Sequence, residues 1–423
     1  MKRNCWLLGL MALLPLGAYL AAPWTTAAEH QANQGDLKAK VQGLVDQIEK
    51  SSTDATRSAA EWELIKLGPD ALPFLPVKDR LAGLRFTLGE LRPRTWILKG
   101  GDMPLAAALD QLAKDTGLPL ADRRQQKSQA RVTFAAGETT YWQAVEALAR
   151  QTQSRISLYQ PDSQVALVDG PPTKQLVSLH GPFRVALKRI SAIRDLEAGT
   201  HVCRVGLEIA WEPRFRPYMI EPAAATLTAR KDLVAKVPSA GPVFVSEHNA
   251  REFEMLFTAP PRAVANVSEL AGHFVVTAPV MQHQFTFKKP KVNDQQAGPD
   301  GIRVTLSGLV VEKTHWMVEW KIDLPAEEPR FESFQSWLHS KAWMDSTNCY
   351  FDKAAGDKLR PDPLRTQVVH SSPSGVTVRF HFLADNPDRL PLEDIAAWRL
   401  VLRTPGRSVE MTVPYQFKDV PLP

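Results

Sequence analysis

The chain has 423 residues, a formal net charge of +5 and a pI near 9.0. This length predicts two to four domains, because one hydrophobic core rarely holds so many residues. The basic residues are scattered, and the densest cluster is Lys288-Lys289-Pro290-Lys291, so the charge pattern argues against a nucleic-acid-binding protein. The 33 prolines favour short strands joined by loops over long helices.

Residues 1–28 have the pattern of a secretory signal peptide. Lys2 and Arg3 form a positively charged start, residues 6–22 are apolar, and Thr26-Ala27-Ala28 fits a cleavage site. We therefore expect the protein in the periplasm, outside the cell or at the cell surface. The alternative is that the apolar run is kept as an N-terminal anchor, since it is nearly long enough to span a bilayer.

Two cysteines, Cys203 and Cys349, remain after the predicted signal peptide. An exported chain meets an oxidising compartment, so a disulfide between them is one interpretation. Two buried free thiols are the other. Neither cysteine lies in a CxxC pair or near a histidine cluster, so we predict no metal site from them.

Residues 36–84 predict a helical segment with two apolar stripes, and Gly68-Pro69 marks the end of its second helix. The sequence from Arg57 to Pro73 resembles one HEAT-type repeat. Such repeats bury their apolar faces against neighbours. A single repeat is therefore expected to pack on another domain as a structural cap, and a docking surface for a partner is the alternative.

Residues 94–170 predict a small α+β domain in the order strand, helix, strand, helix, strand. Asp102-Met103-Pro104 predicts the start of its first helix and Gly117 the end. Thr140-Tyr141-Trp142-Gln143 fits a capping box for its second helix. The side chains expected to hold its sheet and helices together are Leu98, Leu105, Leu109, Leu112, Val132, Phe134, Trp142, Val145 and Leu148.

The sequence from Asp102 to Leu118 resembles the first half of the secretin and TonB short N-terminal domain, and residues 132–168 resemble its second half in order and spacing. In that family the domain lies in the periplasm and binds other proteins, often through a sheet edge. The resemblance therefore implies protein binding by residues 94–170. No secretin repeats follow in this chain, so the usual partners of the family are not implied.

From residue 175 onward, alternating strands replace the helical stripes. Their spacing predicts one immunoglobulin-like β-sandwich over residues 175–290 and a second over residues 301–423. We assign the strand from Gln282 to Phe287 to the first sandwich and the strand from Val409 to Phe417 to the second. The predicted fold class is thus α+β multidomain: an N-terminal helical cap, a small βαββαβ-like domain and two Ig-like β-sandwich units.

The C-terminal sequence from Val413 to Pro423 resembles the ends of secreted proteins from planctomycete-type bacteria. The segments Trp211-Glu212-Pro213-Arg214 and Phe331 to Trp337 share that resemblance. It implies an exported address and carries no activity with it.

The chain has no HExxH, GxSxG, GxxxxGK[ST] or GxGxxG sequence and no acidic calcium loop. These patterns mark zinc peptidases, hydrolases, nucleotide-binding proteins and EF-hands. We therefore predict no catalytic residue, no cofactor and no metal ligand. The expected function is protein recognition or scaffolding through residues 94–170, with envelope proteins as partners.

A carbohydrate-binding β-sandwich is the alternative function, because exposed tryptophan rings stack on sugars. Trp316 and Trp320 alternate as core residues do, so we expect them to be buried. Trp337 and Trp343 fall outside a clean strand pattern and are the candidates for ligand stacking, with polysaccharide as the partner.

Three further groups of residues are weaker candidates for a binding site. His273 and His283 fall on neighbouring predicted strands, where they could share a sheet and bind a metal ion. We expect instead that both are surface residues. Glu247 and His248 form a pair in a predicted loop, and we expect them to be surface residues as well. Arg214-Phe215-Arg216-Pro217-Tyr218 has the arginines that suit an anionic group, and a turn with solvated arginines is favoured.

Overall fold

The computed structural model describes residues 27–422 except 126–129, 161–163, 174, 195, 198, 216, 218, 231–232, 238–240, 246–247, 280–281, 299–301, 313–314, 324–347, 354–357, 363–364, 373–374, 384–397 and 406–407. Strands account for 53% of it and helices for 22%, arranged in several sheets. A β-rich multidomain fold is therefore confirmed. Residues 1–26 of the predicted signal peptide lie outside the described residues.

The N-terminal helical segment begins at residue 27. It consists of α1 (Ala27–Lys50), α2 (Asp54–Lys66), two short 3-10 helices (Pro69–Phe74 and Asp79–Leu81) and α3 (Ala82–Glu90). Thr53 caps α2 by accepting a hydrogen bond from the Thr56 amide, and Gly68 follows its end at a φ of 76°. The helix stop predicted at Gly68-Pro69 is therefore confirmed.

The short domain covers residues 94–170. Its elements are β1 (Thr95–Leu98), β2 (Gly101–Pro104), α4 (Leu105–Thr116), β3 (Leu120–Asp122), β4 (Arg131–Phe134), β5 (Gly137–Thr140), α5 (Tyr141–Gln151), β6 (Ser154–Ser157) and β7 (Val165–Asp169). The capping box at Thr140 and the left-handed C-cap at Gly117 are confirmed. The predicted helix start with Asp102 or Met103 as the cap is wrong, because residues 101–104 pair with β4 as a strand and Pro104 is the N-cap of α4.

A kinked ribbon of two antiparallel strands runs along one side of the short domain. Leu98 is opposite Gly137 and Gly101 is opposite Phe134, so each chain advances by three residues (98 to 101, 134 to 137) and the register continues. Gly100 allows the kink between β1 and β2, because its φ is 79° and a Cβ there would lie 2.9 Å from the Ala136 nitrogen.

The core of the short domain matches the sequence expectation. Seven of the nine predicted side chains are buried, and Leu109 and Phe134 are partly buried against the same cluster. The helices α4 and α5 place one apolar face each on this core. A separate three-stranded sheet in the order β3-β7-β6 completes the domain.

The remaining strands form two β units, each built from two sheets that share one hydrophobic core. Along the chain they are β8 (Leu176–His180), β9 (Phe183–Arg194), β10 (His201–Trp211), β11 (Met219–Pro222), β12 (Ala225–Arg230), β13 (Leu233–Val237), β14 (Val243–Phe244), β15 (Ala250–Thr258), β16 (Asn266–Pro279), β17 (Gln282–Lys288), β18 (Gln295–Ala297), β19 (Arg303–Val311), β20 (His315–Asp323), β21 (Cys349–Lys353), β22 (Lys358–Leu359), β23 (Gln367–Ser372), β24 (Gly375–Leu383), β25 (Trp398–Pro405) and β26 (Ser408–Pro421).

The first β unit packs the sheet β15-β10-β9-β8 on a second sheet that contains β13, β12, β16, β11 and β14. In the second unit, the sheet β17-β25-β21-β22 shares a core with β18-β19-β20-β24-β23. The helical segment shares the core of the first unit, and α2 lies against β26. The helical segment therefore packs on another part of its own chain.

One long antiparallel ribbon passes through both β units. The strand β16 pairs with β26, and β17 pairs with β25. Pro279 is opposite Ser408 and Gln282 is opposite Pro405, so both chains advance by three residues (279 to 282, 405 to 408) and keep their register. Each strand of this long ribbon therefore serves one unit with its first part and the other unit with its second part.

The long ribbon corrects two strand assignments. Gln282 to Phe287 does not complete the first unit, and Val409 to Phe417 does not complete the second. Residues Val409, Val413 and Phe417 are instead buried in the core of the first unit. The alternation of residues predicts a strand and its buried face, but both cores accept the same apolar pattern, so it cannot predict the partner.

None of the described helices combines the length and the apolar composition needed to span a bilayer.

A chain that ends at residue 405 should lose the first β unit and keep the second. It lacks β26, which covers the whole length of β16 and supplies Val409, Val413 and Phe417 to the core. Hydrogen exchange should show loss of protection in β9, β10 and β16, with protection retained in β20 and β24. Unchanged protection in β16 would mean that β26 is dispensable for the first unit.

Candidate protein-recognition site

The sheet edges of the short domain are its candidate binding surfaces, because an unpaired edge offers main-chain donors and acceptors to another strand. The kinked ribbon has two such edges, and the three-stranded sheet has two more at β3 and β6. Native proteins protect edges with charges, prolines or covering groups. The described edges differ in how far they carry such protection.

The edge of β4 is covered by a side chain. The Gln151 Nε2 donates to the Thr133 carbonyl at 3.0 Å, and the Gln151 Oε1 accepts from the Thr133 amide at 2.7 Å. The amide of Gln151 thereby takes the place that a neighbouring strand would occupy. Exposed charged residues lie on two other edges, namely Glu138 on β5 and Arg155 on β6.

The edge of β1 carries no such protection within the strand. Its residue Ile97 is 69% exposed, while Trp96 and Leu98 on either side are buried. Among the described residues, β1 pairs with β5 alone. An exposed isoleucine on an unpaired edge is the feature that protected edges avoid, so β1 is the edge best suited to accept a strand from a partner.

The short domain is docked firmly on the first β unit. Ala210 and Ala250, on β10 and β15, belong to the core of the short domain, so its helices cover this part of the sheet. The Pro182 carbonyl accepts from the Trp142 indole nitrogen at 2.9 Å and from the Glu212 amide at 3.0 Å. One carbonyl of the β unit therefore holds both the short domain and the end of β10.

A buried charge cluster lies in this interface. The Arg184 side chain is almost fully buried, and its Nε donates to Glu146 of α5 at 2.6 Å. Its Nη1 lies 3.4 Å from Glu208, which is also buried and accepts from the Lys188 Nζ at 3.2 Å. Because a buried charge left unpaired is costly, this cluster favours one orientation of the short domain.

A second charge cluster joins the helical segment, the short domain and the first β unit. Glu212, which is 0% exposed, accepts from the Arg94 amide at 2.8 Å and from the Arg214 Nε at 2.6 Å. Arg214 also donates to the Glu90 carbonyl at 2.6 Å, at the end of α3. Burial raises the pKa of the Glu212 carboxyl, and the charges of Arg214 and Arg94 oppose that rise.

The outer face of the sheet is open beyond the short domain. A bulge between Gly206 and Leu207 of β10 leaves both Lys188 and Arg189 of β9 on this face. Glu252 and Glu254 of β15 lie on the other side of β10. Gly206 has no side chain at the centre, and a depression of about 300 Å³ results. Its cations and carboxylates pair with each other, so the depression carries balanced charge.

Two histidines meet on the outer face of the second β unit. His315 Nε2 and His381 Nδ1 are 2.7 Å apart, and the rings are nearly parallel with centroids 5.0 Å apart. The distance between the ring centroids is about equal to the distance between the two nitrogens plus the radii of the two rings. The rings therefore meet head to head, and one nitrogen donates a proton to the other.

The surroundings of His381 disfavour its protonation. Burial, then His315 and the cations Arg379 and Arg365, lower the pKa of His381, and Asp362 opposes them. Arg379 itself is paired with Glu319 at 2.7 Å on the same face.

The two cysteines are buried free thiols in different cores. Cys203 belongs to the first β unit and Cys349 to the second, where its Sγ accepts from the Trp320 indole nitrogen at 3.4 Å. Of the two interpretations of this pair, the structure has the free thiols and not the disulfide. Burial raises the pKa of the Cys349 thiol to about 12, which keeps it protonated and unreactive.

The predicted sugar-stacking residues Trp337 and Trp343 lie outside the described residues. Trp316 and Trp320 are fully buried in the second unit, as their alternation predicts. The edge of the Trp316 ring contacts Phe351 at 4.8 Å between centroids. These two rings therefore provide no surface for a sugar.

The other weighed residues do not converge. His273 is on β16 in the first unit and His283 is on β17 in the second. The His248 ring instead meets Tyr159 of the short domain edge-on. Arg214 is largely removed from solvent and paired with Glu212. Arg216 and Tyr218 lie outside the described residues. Within the described part of the chain, no three His, Cys, Asp or Glu side chains converge on a metal position.

Several residues that matter to the site carry no local signal in the sequence. Gln151 sits eighteen positions from the strand that it covers. The distance in sequence between His315 and His381 also hides their contact. Ile97 had a signal, because the alternation across Thr95-Trp96-Ile97-Leu98 puts it on the face opposite Trp96 and Leu98.

Comparisons with known proteins give no relative for this chain. A scan against protein-family models finds no match. A search of curated proteins finds no significant similarity either.

Replacing Trp142 by Ala should lower the free energy of unfolding of the short domain by about 3–5 kcal/mol. Trp142 is 1% exposed, and the change removes both its ring from the core and its hydrogen bond to Pro182. Hydrogen exchange of the α4 and α5 amides measures the loss. Phe86→Ala is the control, because Phe86 is 52% exposed on α3 and should leave these amides unchanged. Equal protection in wild type and Trp142→Ala would refute the assignment.

Acidification should destabilise the second β unit through His381. Its pKa is lowered in the folded state, so the unfolded chain binds more protons as the pH falls below about 6.5. This stability is complete above the unfolded pKa and is lost as the pH falls towards the folded pKa.

Thermal melts at pH 7.5 and 5.5 compare the wild type with His381→Gln and His370→Gln. His381→Gln should show a smaller loss on acidification than the wild type does. His370→Gln, which changes an exposed histidine of β23, should behave like the wild type. An equal acid-induced loss in all three proteins would show that the pair does not sense pH.

Proposed function

We propose that this protein is an exported, non-catalytic recognition or scaffold protein of the periplasm or cell surface. Its short domain, residues 94–170, binds a partner protein of the envelope. The observation that carries the proposal is the unprotected edge of β1, with Ile97 exposed on it. The resemblance of this domain to the secretin and TonB short N-terminal domain supports the same function.

The mode of binding is addition of a strand to β1. A partner strand would continue the antiparallel pair β1-β5 and use main-chain hydrogen bonds for affinity. Ile97 would supply an apolar contact on one face of the added strand. Because main-chain groups give most of the affinity, the site needs no special constellation of side chains.

The docking of the short domain supports a scaffold role. The Arg184 and Glu212 clusters hold the domain on the first β unit, so a partner on β1 is positioned relative to the whole protein. The finer assignments belong to the same proposal: a domain of the secretin and TonB type, and two immunoglobulin-like units that present it. An address outside the cytoplasm rests on the signal-peptide pattern of residues 1–28.

Ile97→Lys should abolish capture of the partner without unfolding the domain. A lysine on an edge strand opposes pairing, and residue 97 is exposed, so the fold tolerates it. The wild type and variant chains are immobilised and exposed to native envelope extract. A protein bound by the wild type and lost from Ile97→Lys supports β1 as the site.

Leu256→Lys is the matched control, because Leu256 is 55% exposed on β15, an edge strand of the first β unit. It should capture the partner as the wild type does. Hydrogen exchange of the β1 amides, with the purified partner added, then tests strand addition directly. If Ile97→Lys captures the same protein, or if the wild type retains polysaccharide alone, recognition does not reside in β1.

A further inference from the structure

The histidine pair on the second β unit has a third neighbour of different chemistry. Met317 is directly opposite His381 in the pairing of β20 with β24, and it is two residues from His315 on the same strand. All three are half-buried on the outer face, since the residues between them are core residues. Directly opposed residues have Cβ atoms about 4.5–5.5 Å apart, within reach of a methionine side chain.

From this arrangement we infer a binding site for a copper(I) ion, with His315, His381 and Met317 as ligands. Imidazole nitrogen suits copper and zinc, and a thioether sulfur selects copper(I) among the common metal ions. The head-to-head nitrogens already face each other across the position that an ion would occupy. The inference is independent of the recognition site on β1.

The geometry requires a small opening of the pair. In a trigonal site with two metal–nitrogen bonds of about 2.0 Å, the nitrogens lie about 3.5 Å apart, so the rings move apart by roughly 0.8 Å from 2.7 Å. Side-chain rotation is enough for this on a half-buried surface. The ion replaces the proton shared by the two rings. The ring that donated this proton takes up one on its other nitrogen from solvent, so both histidines bind the ion as neutral imidazoles.

The test measures copper(I) binding by the full chain, in competition with a chromogenic copper(I) chelator under a reducing atmosphere. The wild type should bind one equivalent. His315→Gln and His381→Gln should each weaken binding by at least about tenfold, since changing even outer partners of a metal ligand has that effect. X-ray absorption should detect a sulfur ligand in the wild type and not in Met317→Leu.

Controls separate this site from other copper ligands. His370→Gln changes an exposed histidine on the neighbouring strand β23 and should bind as the wild type does. Melting curves without metal establish that each variant is folded. Absence of copper(I) binding, binding unchanged by both His315→Gln and His381→Gln, or tighter binding of zinc than of copper(I) would each overturn the assignment.

Discussion

The register of the long ribbon is the constraint on which the two β units depend. The strands β16 and β17 run antiparallel to β26 and β25 without a change of register, although the chain passes from one hydrophobic core to the other. A shift by one residue would turn every side chain to the wrong face in both units at once. The apolar residues of β26 and of β17 thus specify the same alignment from two sides, and each core reinforces the other.

The short domain depends on buried charges rather than on a large apolar contact. Two small residues of the first unit's sheet, Ala210 and Ala250, belong to the core of the short domain, and Glu146 of α5 pairs with Arg184 of that sheet. Apolar surfaces can slide, whereas Arg184 and Glu212 each need particular partners when they are removed from water. These charges therefore contribute orientation more than free energy, and orientation is what an exposed binding edge requires.

Local patterns predicted the elements better than they predicted the partners of those elements. The capping box at Thr140, the stop at Gly117 and the burial of Trp142, Trp316 and Trp320 all follow from neighbouring residues, and the structure has them. The β unit to which β17 or β26 belongs does not follow from neighbouring residues, because an alternating strand fits either core equally well. Local patterns also do not predict that Gln151 covers the edge of β4 or that His315 contacts His381, because these contacts join residues far apart in the chain.

The pairing of Pro279 with Ser408 also sets the order in which the protein can mature. A chain is made from its N-terminus, so β16 exists long before β26, and one side of β16 stays open until β26 has been made. Non-local pairing of this kind slows folding. A chain that stops early has the same open side permanently, with apolar residues that chaperones and proteases recognise. Closure of the first β unit therefore reports that synthesis has passed β26, because only a chain that contains β26 can cover that side of β16.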